Sequence, residues 1–219
     1  MKQRLLGKKI GIVVESEFLA DEIEAYRDRF TEQGAEVCFM SRIWNPQSIQ
    51  TYYSNSLEPE NRPQALTVTI DFRRENPEDY AALIMASSYT SVRLRYVDKM
   101  PISQLTPTLA RKAPACEFFA RSMMNPQIVK GFLCQGLWIL TPYPELLKGR
   151  SVICHQVVLA DVINTGAVLC TNEDGVVVDK DIVTGYSKEE VMLFIDRITE
   201  QIEKISLLSH SDDSIIRAC

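Results

Sequence analysis

The residues best suited to chemistry lie at positions 131–136, where Cys134 stands between two apolar runs. The residues before the cysteine predict a buried strand, and the apolar run 137–140 behind it predicts the start of a helix. A cysteine on a sharp turn between strand and helix has the layout of a nucleophile elbow. Free backbone N–H groups at a helix start favour thiolate over thiol. Most buried cysteines are inert packing residues, so this pattern alone leaves both interpretations open.

The chain has six cysteines and two histidines, and their spacing indicates no metal site. The cysteines form no CxxC pair and no zinc-like pattern, and two histidines exclude a histidine-rich site. We therefore expect free thiols in a reducing compartment, with neither a metal nor a cofactor. The cysteines are Cys38, Cys116, Cys134, Cys154, Cys170 and Cys219.

Length and composition bound the class of protein. The 219 residues suit one α/β domain, which we place at residues 1–205, followed by a polar tail at residues 206–219 that we expect to fray. The formal net charge of −5 argues against a general nucleic-acid binder, which normally has a basic surface. No apolar run is long enough to span a bilayer, and residues 1–9 lack the apolar core of a secretory signal. The sequence thus predicts a cytoplasmic protein without a membrane or nucleic-acid partner.

The elements that would position the cysteine alternate between strand and helix, which predicts a parallel β-α-β unit followed by a third buried strand. The predicted strands are 9–14, 35–40 and 81–85, and the predicted helix between the first two is 18–33. The third strand ends in small residues, among them Ser87 and Ser88. Small residues at the carboxyl end of a strand permit close backbone approach, so this loop could lie beside the elbow. Ser187 and Glu190 predict a capping box at the last helix, which we expect to end near Ile205.

Residues 44–74 differ from the rest of the chain because they are polar, rich in tyrosine and punctuated by proline. Within them, residues 66–72 alternate in polarity and predict a strand. We interpret this region as a hairpin-like insertion on the edge of the sheet. Its aromatic residues Trp44, Tyr52 and Tyr53 could line a lid or an interface.

Four stretches together resemble the ThiJ/PfpI superfamily, the cysteine proteins related to class I glutamine amidotransferases. Residues 9–37 are similar to its first β-α-β unit, and residues 79–88 to its Asp-Ala-Leu-x-x-Pro-Gly-Gly strand and loop. Residues 131–136 resemble its Ala-x-Cys-His-Gly elbow. The most specific stretch is 146–167, where Leu-Leu-Lys-Gly-Arg precedes Val-x-x-His and then Asp-x-Ile-Asn-x-Gly-Ala. The resemblance covers roughly residues 8–205 apart from the insertion, and implies an α/β, flavodoxin-like three-layer sandwich with a mostly parallel central sheet.

The resemblance also implies a role for each matching residue. Cys134 matches the nucleophile, and Glu22 matches the acidic residue that contacts it from the first helix. His155 matches the histidine placed near the cysteine in the human member and its bacterial relatives. Ser87 and Ser88 match the two glycines whose backbone helps to form the oxyanion site. The family also implies self-association near the cysteine, so we expect a homodimer with the insertion at or beside the subunit contact.

Two expectations concern the sulfur itself. We expect Cys134 Sγ to lie within hydrogen-bond reach of a Glu22 carboxyl oxygen, in which case a shared proton would raise the pKa of Glu22. We also expect the helix amides to lower the pKa of Cys134 and to make it the most reactive of the six thiols.

Three positions depart from the family pattern. Gln135 stands where the peptidase-like members have histidine, and glutamine cannot take up a proton near neutral pH. We therefore expect peptidase activity to be weak or absent, with Gln135 acting as a hydrogen-bond anchor or pocket lining. Phe132 replaces a small residue of the elbow, and Ser87 and Ser88 place side chains where the family keeps bare backbone. These changes predict a smaller pocket or displaced oxyanion donors.

Three functions from different classes remain open at this point. The first is a cysteine-dependent hydrolase, glyoxalase or lyase on a small carbonyl or amide compound, with Cys134 attacking the carbonyl carbon and Glu22 moving protons. The second is an oxidative-stress thiol sensor or chaperone-like protein, in which Glu22 stabilises an oxidised Cys134. The third is a catalytically silent binding module with a small-molecule ligand.

Overall fold

The computed structural model describes residues 3–44, 50–54, 63–97, 101–106 and 108–216. Its strands are β1 (Lys9–Val13), β2 (Glu36–Ser41), β3 (Gln50–Tyr53), β4 (Ala65–Val68), β5 (Ile70–Asp71), β6 (Ala82–Met85), β7 (Val129–Leu133), β8 (Ser151–Val152), β9 (Val168–Leu169), β10 (Val176–Asp179) and β11 (Ile182–Gly185). Its α-helices are α1 (Ala20–Glu32), α2 (Thr90–Leu94), α3 (Pro114–Ser122), α4 (Pro144–Leu147), α5 (Gln156–Asn164) and α6 (Val191–Ile216). Short 3₁₀ turns lie at Phe72–Arg74, Pro77–Asp79, Ile102–Gln104, Leu109–Lys112, Gly136–Leu140 and Lys188–Glu190.

The main sheet of the described chain has seven strands in the order β10-β11-β7-β6-β1-β2-β5. Its pairings are parallel except that between β10 and β11. The chain moves outward from β1 to β2, and from β6 it moves in the opposite direction to β7. A crevice opens at the carboxyl ends of the strands where such an order reverses, which is the usual ligand position in open α/β sheets. Here that point lies between β1 and β6.

Two hydrophobic cores cover the two faces of the sheet, because successive strand residues point to opposite sides. On β1, Ile10 and Ile12 enter one core and Val13 enters the other. Helices α1 and α6 cover the first face, with Tyr26, Phe30, Phe194 and Ile198 buried there. Helices α3 and α5 cover the second face. The predicted three-layer, mostly parallel α/β sandwich is therefore confirmed. No helix in the described part of the chain is both long and apolar enough to cross a bilayer.

The insertion differs in detail from its prediction as one strand at 66–72. The structure splits that segment into β4, which pairs antiparallel with β3 in a separate small sheet, and β5, which lies beside β2 on the edge of the main sheet. The Asp71 carboxylate accepts a hydrogen bond from the Arg73 N–H and starts a 3₁₀ turn, so the extended backbone ends there. Tyr52 is buried and donates its hydroxyl to the Arg42 carbonyl, whereas Trp44 and Tyr53 are exposed.

Two helical predictions also change. The run behind the elbow, Gly136–Leu140, is a 3₁₀ turn rather than the start of an α-helix. The capping box of Ser187 and Glu190 is present, but α6 continues to Ile216 instead of ending near Ile205. Most of the tail that was expected to fray is therefore helical, and Cys219 lies outside the described residues.

A buried ion-pair network holds the start of β7. Lys130 is fully buried, and its ammonium donates to the Asn125 carbonyl at 2.9 Å and to the Asp181 carboxylate. Arg150 donates to the other Asp181 oxygen at 2.8 Å and to Asp179 at 3.1 Å. Burial lowers the pKa of Lys130, while the ion pair with Asp181 opposes that shift. The network fixes the strand that carries the elbow against its neighbours at the end opposite Cys134.

Replacing Asp181 by asparagine should lower the free energy of unfolding by about 3–5 kcal/mol, since Lys130 would stay buried without a counter-ion. Lys130→Met should cost less, because Asp181 keeps its ion pair with Arg150. Glu36→Gln, which removes the exposed pair with Lys9, is the matched control and should change stability by about 1 kcal/mol or less. Urea unfolding measures all three, and equal losses for Asp181→Asn and Lys130→Met would contradict this account.

Candidate active site

The elbow is held on both sides by backbone hydrogen bonds. The Cys134 N–H donates to the Gly185 carbonyl at 2.8 Å, and the Cys134 carbonyl accepts from the His155 N–H at 3.2 Å. Cys134 itself has φ of 57°, the left-handed region that residues other than glycine rarely adopt. Such backbone strain persists only where the surroundings impose it, and it is frequent at functional sites. The predicted sharp turn after β7 is present.

Two residues flanking the cysteine explain how the turn fits the fold. A side chain at Gly136 would place its Cβ 2.9 Å from the Met85 carbonyl oxygen, so only glycine permits this close approach to β6. Phe132 is fully buried against Phe119, with ring centroids 5.4 Å apart, in the second core. The large residue in the elbow strand is therefore a packing residue.

Glu22 lies in the first turn of α1 and is almost completely buried, with 1% of its surface exposed. Its carboxylate accepts hydrogen bonds from the Ser87 N–H at 3.0 and 3.2 Å, from the Ser87 hydroxyl, and from the Tyr26 hydroxyl at 2.8 Å. Burial raises the pKa of Glu22 to about 7, although the hydrogen bonds from Ser87 and Tyr26 oppose this shift. The carboxyl group therefore titrates near neutral pH.

Cys134 is also buried, and its thiol is not the acidic group that the sequence predicted. Burial raises the pKa of Cys134 to about 12, and the charge of Glu22 raises it further, whereas the backbone N–H of Gln135 opposes both. The hydrogen bond from a single backbone N–H stabilises the thiolate by less than burial destabilises it through loss of hydration. The expectation of a lowered pKa is therefore wrong.

The expected hydrogen bond between Cys134 and Glu22 is likewise not among the contacts of the described chain. The hydrogen bonds of the Glu22 carboxylate go to Ser87 and Tyr26, which occupy both of its oxygens. Among the charged groups, Glu22 nevertheless raises the pKa of the Cys134 thiol the most. The two residues are coupled by charge.

Ser87 and Ser88 lie where the oxyanion donors were predicted, but their N–H groups already have acceptors in the protein. The Ser87 N–H donates to Glu22, and the Ser88 N–H donates to Gln135 Oε1 at 3.1 Å. Ser88 has φ of 63°, a second left-handed residue facing the elbow. The Ser91 hydroxyl donates to the Gln135 carbonyl at 3.2 Å and so ties α2 to the elbow.

The hydrogen bond described between His155 and the elbow is made by its backbone N–H. His155 is the N-cap of α5, where its Nδ1 accepts from the Val157 N–H at 3.3 Å, and its ring lies 5.7 Å from that of Tyr186. The described contacts include no hydrogen bond from the imidazole to Cys134. The Nδ1 atom of this ring is therefore engaged in capping α5.

The structure adds two residues that the sequence did not single out. Tyr26, one helical turn after Glu22, donates to its carboxylate, and the four-residue spacing was the available signal. Glu189 raises the pKa of Cys134 by its charge, after the larger effects of burial and Glu22. Glu189 belongs to the 3₁₀ turn before α6, and nothing in its local sequence pointed to the cysteine.

A groove lies on the same edge of the sheet, between the residues that follow β1 and helix α2. The Trp44 and Tyr96 rings stand 5.6 Å apart, and the Arg93 guanidinium pairs with Glu17 at 2.8 Å. Aromatic walls with a few polar groups suit a small ligand. No group of three or more metal-binding side chains occurs in the described ranges. The groove is lined by Glu15, Trp44, Val92, Arg93, Arg95 and Tyr96.

Comparison with known proteins identifies a family model and relatives that this chain resembles. Residues 104–201 match the model of the DJ-1/PfpI family. A curated relative from Escherichia coli strain K12, named protein/nucleic acid deglycase 2, is 22% identical over 86% of this chain and 94% of its own length.

Solved structures share the fold at low sequence identity. DJ-1 of Schizosaccharomyces pombe superposes with a TM-score of 0.68 and 14% identity, covering 93% of this chain and 97% of that one. A two-domain protein from Anabaena variabilis, with DJ-1/ThiJ/PfpI-like and ferritin-like domains, gives 0.72 and 16% identity. The match covers 89% of this chain and only 48% of that protein. The predicted ThiJ/PfpI resemblance and flavodoxin-like fold are confirmed.

The raised pKa of Glu22 has a consequence for stability. A carboxyl group whose folded pKa of about 7 exceeds its ordinary value of 4.5 stabilises the fold at low pH, and this contribution is lost as pH rises through 7. Relative to Glu22→Gln, the wild type should lose about 3 kcal/mol of unfolding free energy between pH 4.5 and 8. Urea unfolding across this range measures the difference. Glu24→Gln, at an exposed position of α1, should keep the wild-type pH dependence.

The raised pKa of Cys134 predicts how alkylation depends on pH. Iodoacetamide labelling of Cys134 should increase about tenfold per pH unit between pH 7 and 9, because only the thiolate reacts. Glu22→Gln should accelerate labelling at each pH by removing a nearby negative charge. Peptide mapping gives the rates, with the half-buried Cys170 as an internal reference. A plateau at or below pH 8 would show that the thiol is acidic after all.

Proposed function

We propose, from the chain's place in the ThiJ/PfpI superfamily, that this protein is a cysteine-dependent enzyme acting on a small reactive carbonyl compound. The observation that carries the proposal is the placement of Cys134 on a strained elbow, coupled by charge to a buried carboxyl group that titrates near neutrality. One relative is named a deglycase, so glycated groups are included among the candidate substrates.

The protonation states favour addition of Cys134 to an aldehyde or activated ketone with removal of the thiol proton by a base, since the thiolate and not the thiol is the nucleophile. At pH 7 to 8 Cys134 carries its proton, and a large share of Glu22 is ionised. In the proposed step the sulfur forms a bond to the carbonyl carbon while the carbonyl π bond breaks. The thiol proton passes to Glu22 through a bridging solvent molecule, because the described contacts include no direct hydrogen bond between the two groups, and then to the new alkoxide oxygen. The product is a neutral hemithioacetal, and no oxidant or reductant is required.

Peptide cleavage fits this site poorly. Amide hydrolysis requires a proton donor for the leaving amine, and Gln135 cannot supply one near neutral pH. His155 uses its Nδ1 to cap α5 and directs no described hydrogen bond to the sulfur. The thiol-sensor alternative is also weakened, since redox-sensing cysteines have a low pKa and an accessible sulfur.

A catalytically silent binding module remains the second candidate. The observation that favours it is that both predicted oxyanion donors already have acceptors in the protein. The Ser87 N–H donates to Glu22, and the Ser88 N–H donates to Gln135. A protein of this kind would bind a small molecule in the crevice without converting it.

We further propose a cytoplasmic homodimer in which the insertion lies at or beside the contact. Supporting features are the exposed side chains of Trp44 and Tyr53, 46% and 54% accessible, and the β3–β4 hairpin outside the main sheet. Large exposed aromatic side chains are enriched at protein interfaces.

The enzymatic proposal predicts turnover of a small α-oxoaldehyde such as glyoxal, within a screen that also covers amides and esters. Cys134→Ser should abolish turnover, and Glu22→Gln should lower kcat by about 10²-fold or more, the usual effect of losing a proton carrier. Cys154→Ser, a buried cysteine beyond the elbow, is the matched control and should retain activity. Turnover that survives Cys134→Ser, or robust cleavage of casein that depends on Cys134, would refute the proposal.

The dimer is tested by light scattering at micromolar concentration, which should give about twice the mass of one chain. Deleting residues 50–68 and joining the ends with a short glycine linker should yield monomers. A dimer that survives this deletion would refute the placement of the contact, and a monomeric wild type would refute the dimer.

A further inference from the structure

We propose that the side chain of Gln135 acts as an internal stand-in for the ligand, holding the Ser88 N–H until a ligand oxygen displaces it. This inference rests on the proposed function, because it concerns the oxyanion position of the same site. It assigns Gln135 a specificity-determining role that follows from its contacts.

The contact itself resembles the binding of a carbonyl oxygen. Gln135 Oε1 is an amide oxygen, and it accepts from the Ser88 N–H at 3.1 Å. Gln135 directly follows Cys134, and its own backbone N–H acts on the sulfur. The oxygen that occupies the Ser88 N–H therefore belongs to the residue next to the nucleophile, and it uses one of the donors predicted to stabilise the oxygen of a reacting carbonyl group.

The two predicted oxyanion donors are not equally available. The Ser87 N–H donates to Glu22, a buried carboxyl group that also accepts from Tyr26. Breaking this contact would leave polar groups unsatisfied in the core, which is costly. The Ser88 N–H donates instead to a neutral side chain that is only partly buried. A ligand oxygen can accept the Ser88 N–H by displacing Gln135 Oε1. The released side-chain amide can then form hydrogen bonds with solvent.

The backbone around Gln135 allows this exchange without movement of the elbow. The Ser91 hydroxyl holds the Gln135 carbonyl at 3.2 Å, and Cys134 is fixed by hydrogen bonds to Gly185 and His155. Rotation of the Gln135 side chain changes none of these three contacts. The displaceable element is thus a single side chain on a fixed frame.

Such an occupant would discriminate between ligands. A neutral carbonyl oxygen offers Ser88 about the same hydrogen bond as Gln135 does, so it gains little by exchange. An alkoxide that forms during addition of the thiol accepts a charge-assisted hydrogen bond, which is roughly twice as strong. Displacing Gln135 costs the same hydrogen bond in both cases. A neutral carbonyl is therefore left with little net gain, whereas the alkoxide keeps one.

The test uses protection of Cys134 from iodoacetamide by methylglyoxal, read by peptide mapping. Adduct formation creates an oxygen at the Ser88 position, whereas alkylation by iodoacetamide does not. Gln135→Ala and Gln135→Met should each lower the half-protecting concentration of methylglyoxal about fivefold, the worth of one neutral hydrogen bond. Gln135→Met keeps the bulk of the side chain without its oxygen. Labelling of Cys170 in the same digests should be unchanged.

The outcomes separate this inference from the proposed enzyme. Tighter protection in both variants supports the stand-in role, even if none of the proteins turns over glyoxal. Equal protection in wild type and variants, or no protection in any of them, overturns the inference, even if turnover is found. Tighter protection in Gln135→Ala but not in Gln135→Met also overturns it, because the size of the side chain rather than its hydrogen bond to Ser88 would then control access to Cys134.

Discussion

The burial of one carboxyl group governs the chemistry of this protein. Glu22 is buried in the first turn of α1 beside the loop after β6, and its carboxylate accepts hydrogen bonds from the Ser87 N–H and hydroxyl. These hydrogen bonds fix the conformation of the loop beside the cysteine. The same burial raises the pKa of the carboxyl group to about 7, and its charge adds to the burial of Cys134 in raising the pKa of the thiol. The conformation of the loop and the raised pKa values of Glu22 and Cys134 therefore both depend on the buried carboxyl group.

The sequence was sufficient for the architecture because the strands of the sheet are strongly patterned. Continuous β-branched and apolar runs identify β1 and β6 as strands buried on both faces, and the period of α1 separates its apolar side from its charges. The insertion was harder to predict because a two-residue strand such as β5 carries too little pattern. Only the hydrogen bond from Arg73 to Asp71 shows where the extended backbone stops.

The residues of the candidate site could be proposed from the sequence, but their contacts could not. The resemblance to the ThiJ/PfpI superfamily selected Cys134, Glu22, Ser87 and Ser88, which lie near the ends of strands or helices. The hydrogen bond between Ser88 and Gln135 joins residues 47 positions apart, and it depends on side-chain rotamers that no local pattern encodes. The pKa of Cys134 was difficult to predict for a similar reason. A helix amide near the sulfur was foreseeable, but the extent of burial that outweighs it emerges only when the whole sandwich is assembled.

The order of the strands in the chain gives Lys130 a further significance. Strand β7 pairs with β6 on one side and with β11 on the other, and β11 comes later in the chain than both. Without β11, β7 would be an edge of the parallel sheet, and a lysine on such an edge resists edge-to-edge association because joining two copies would bury unpaired ammonium groups. Asp181 lies immediately before β11, so the strand that covers this edge also brings the counter-ion of Lys130.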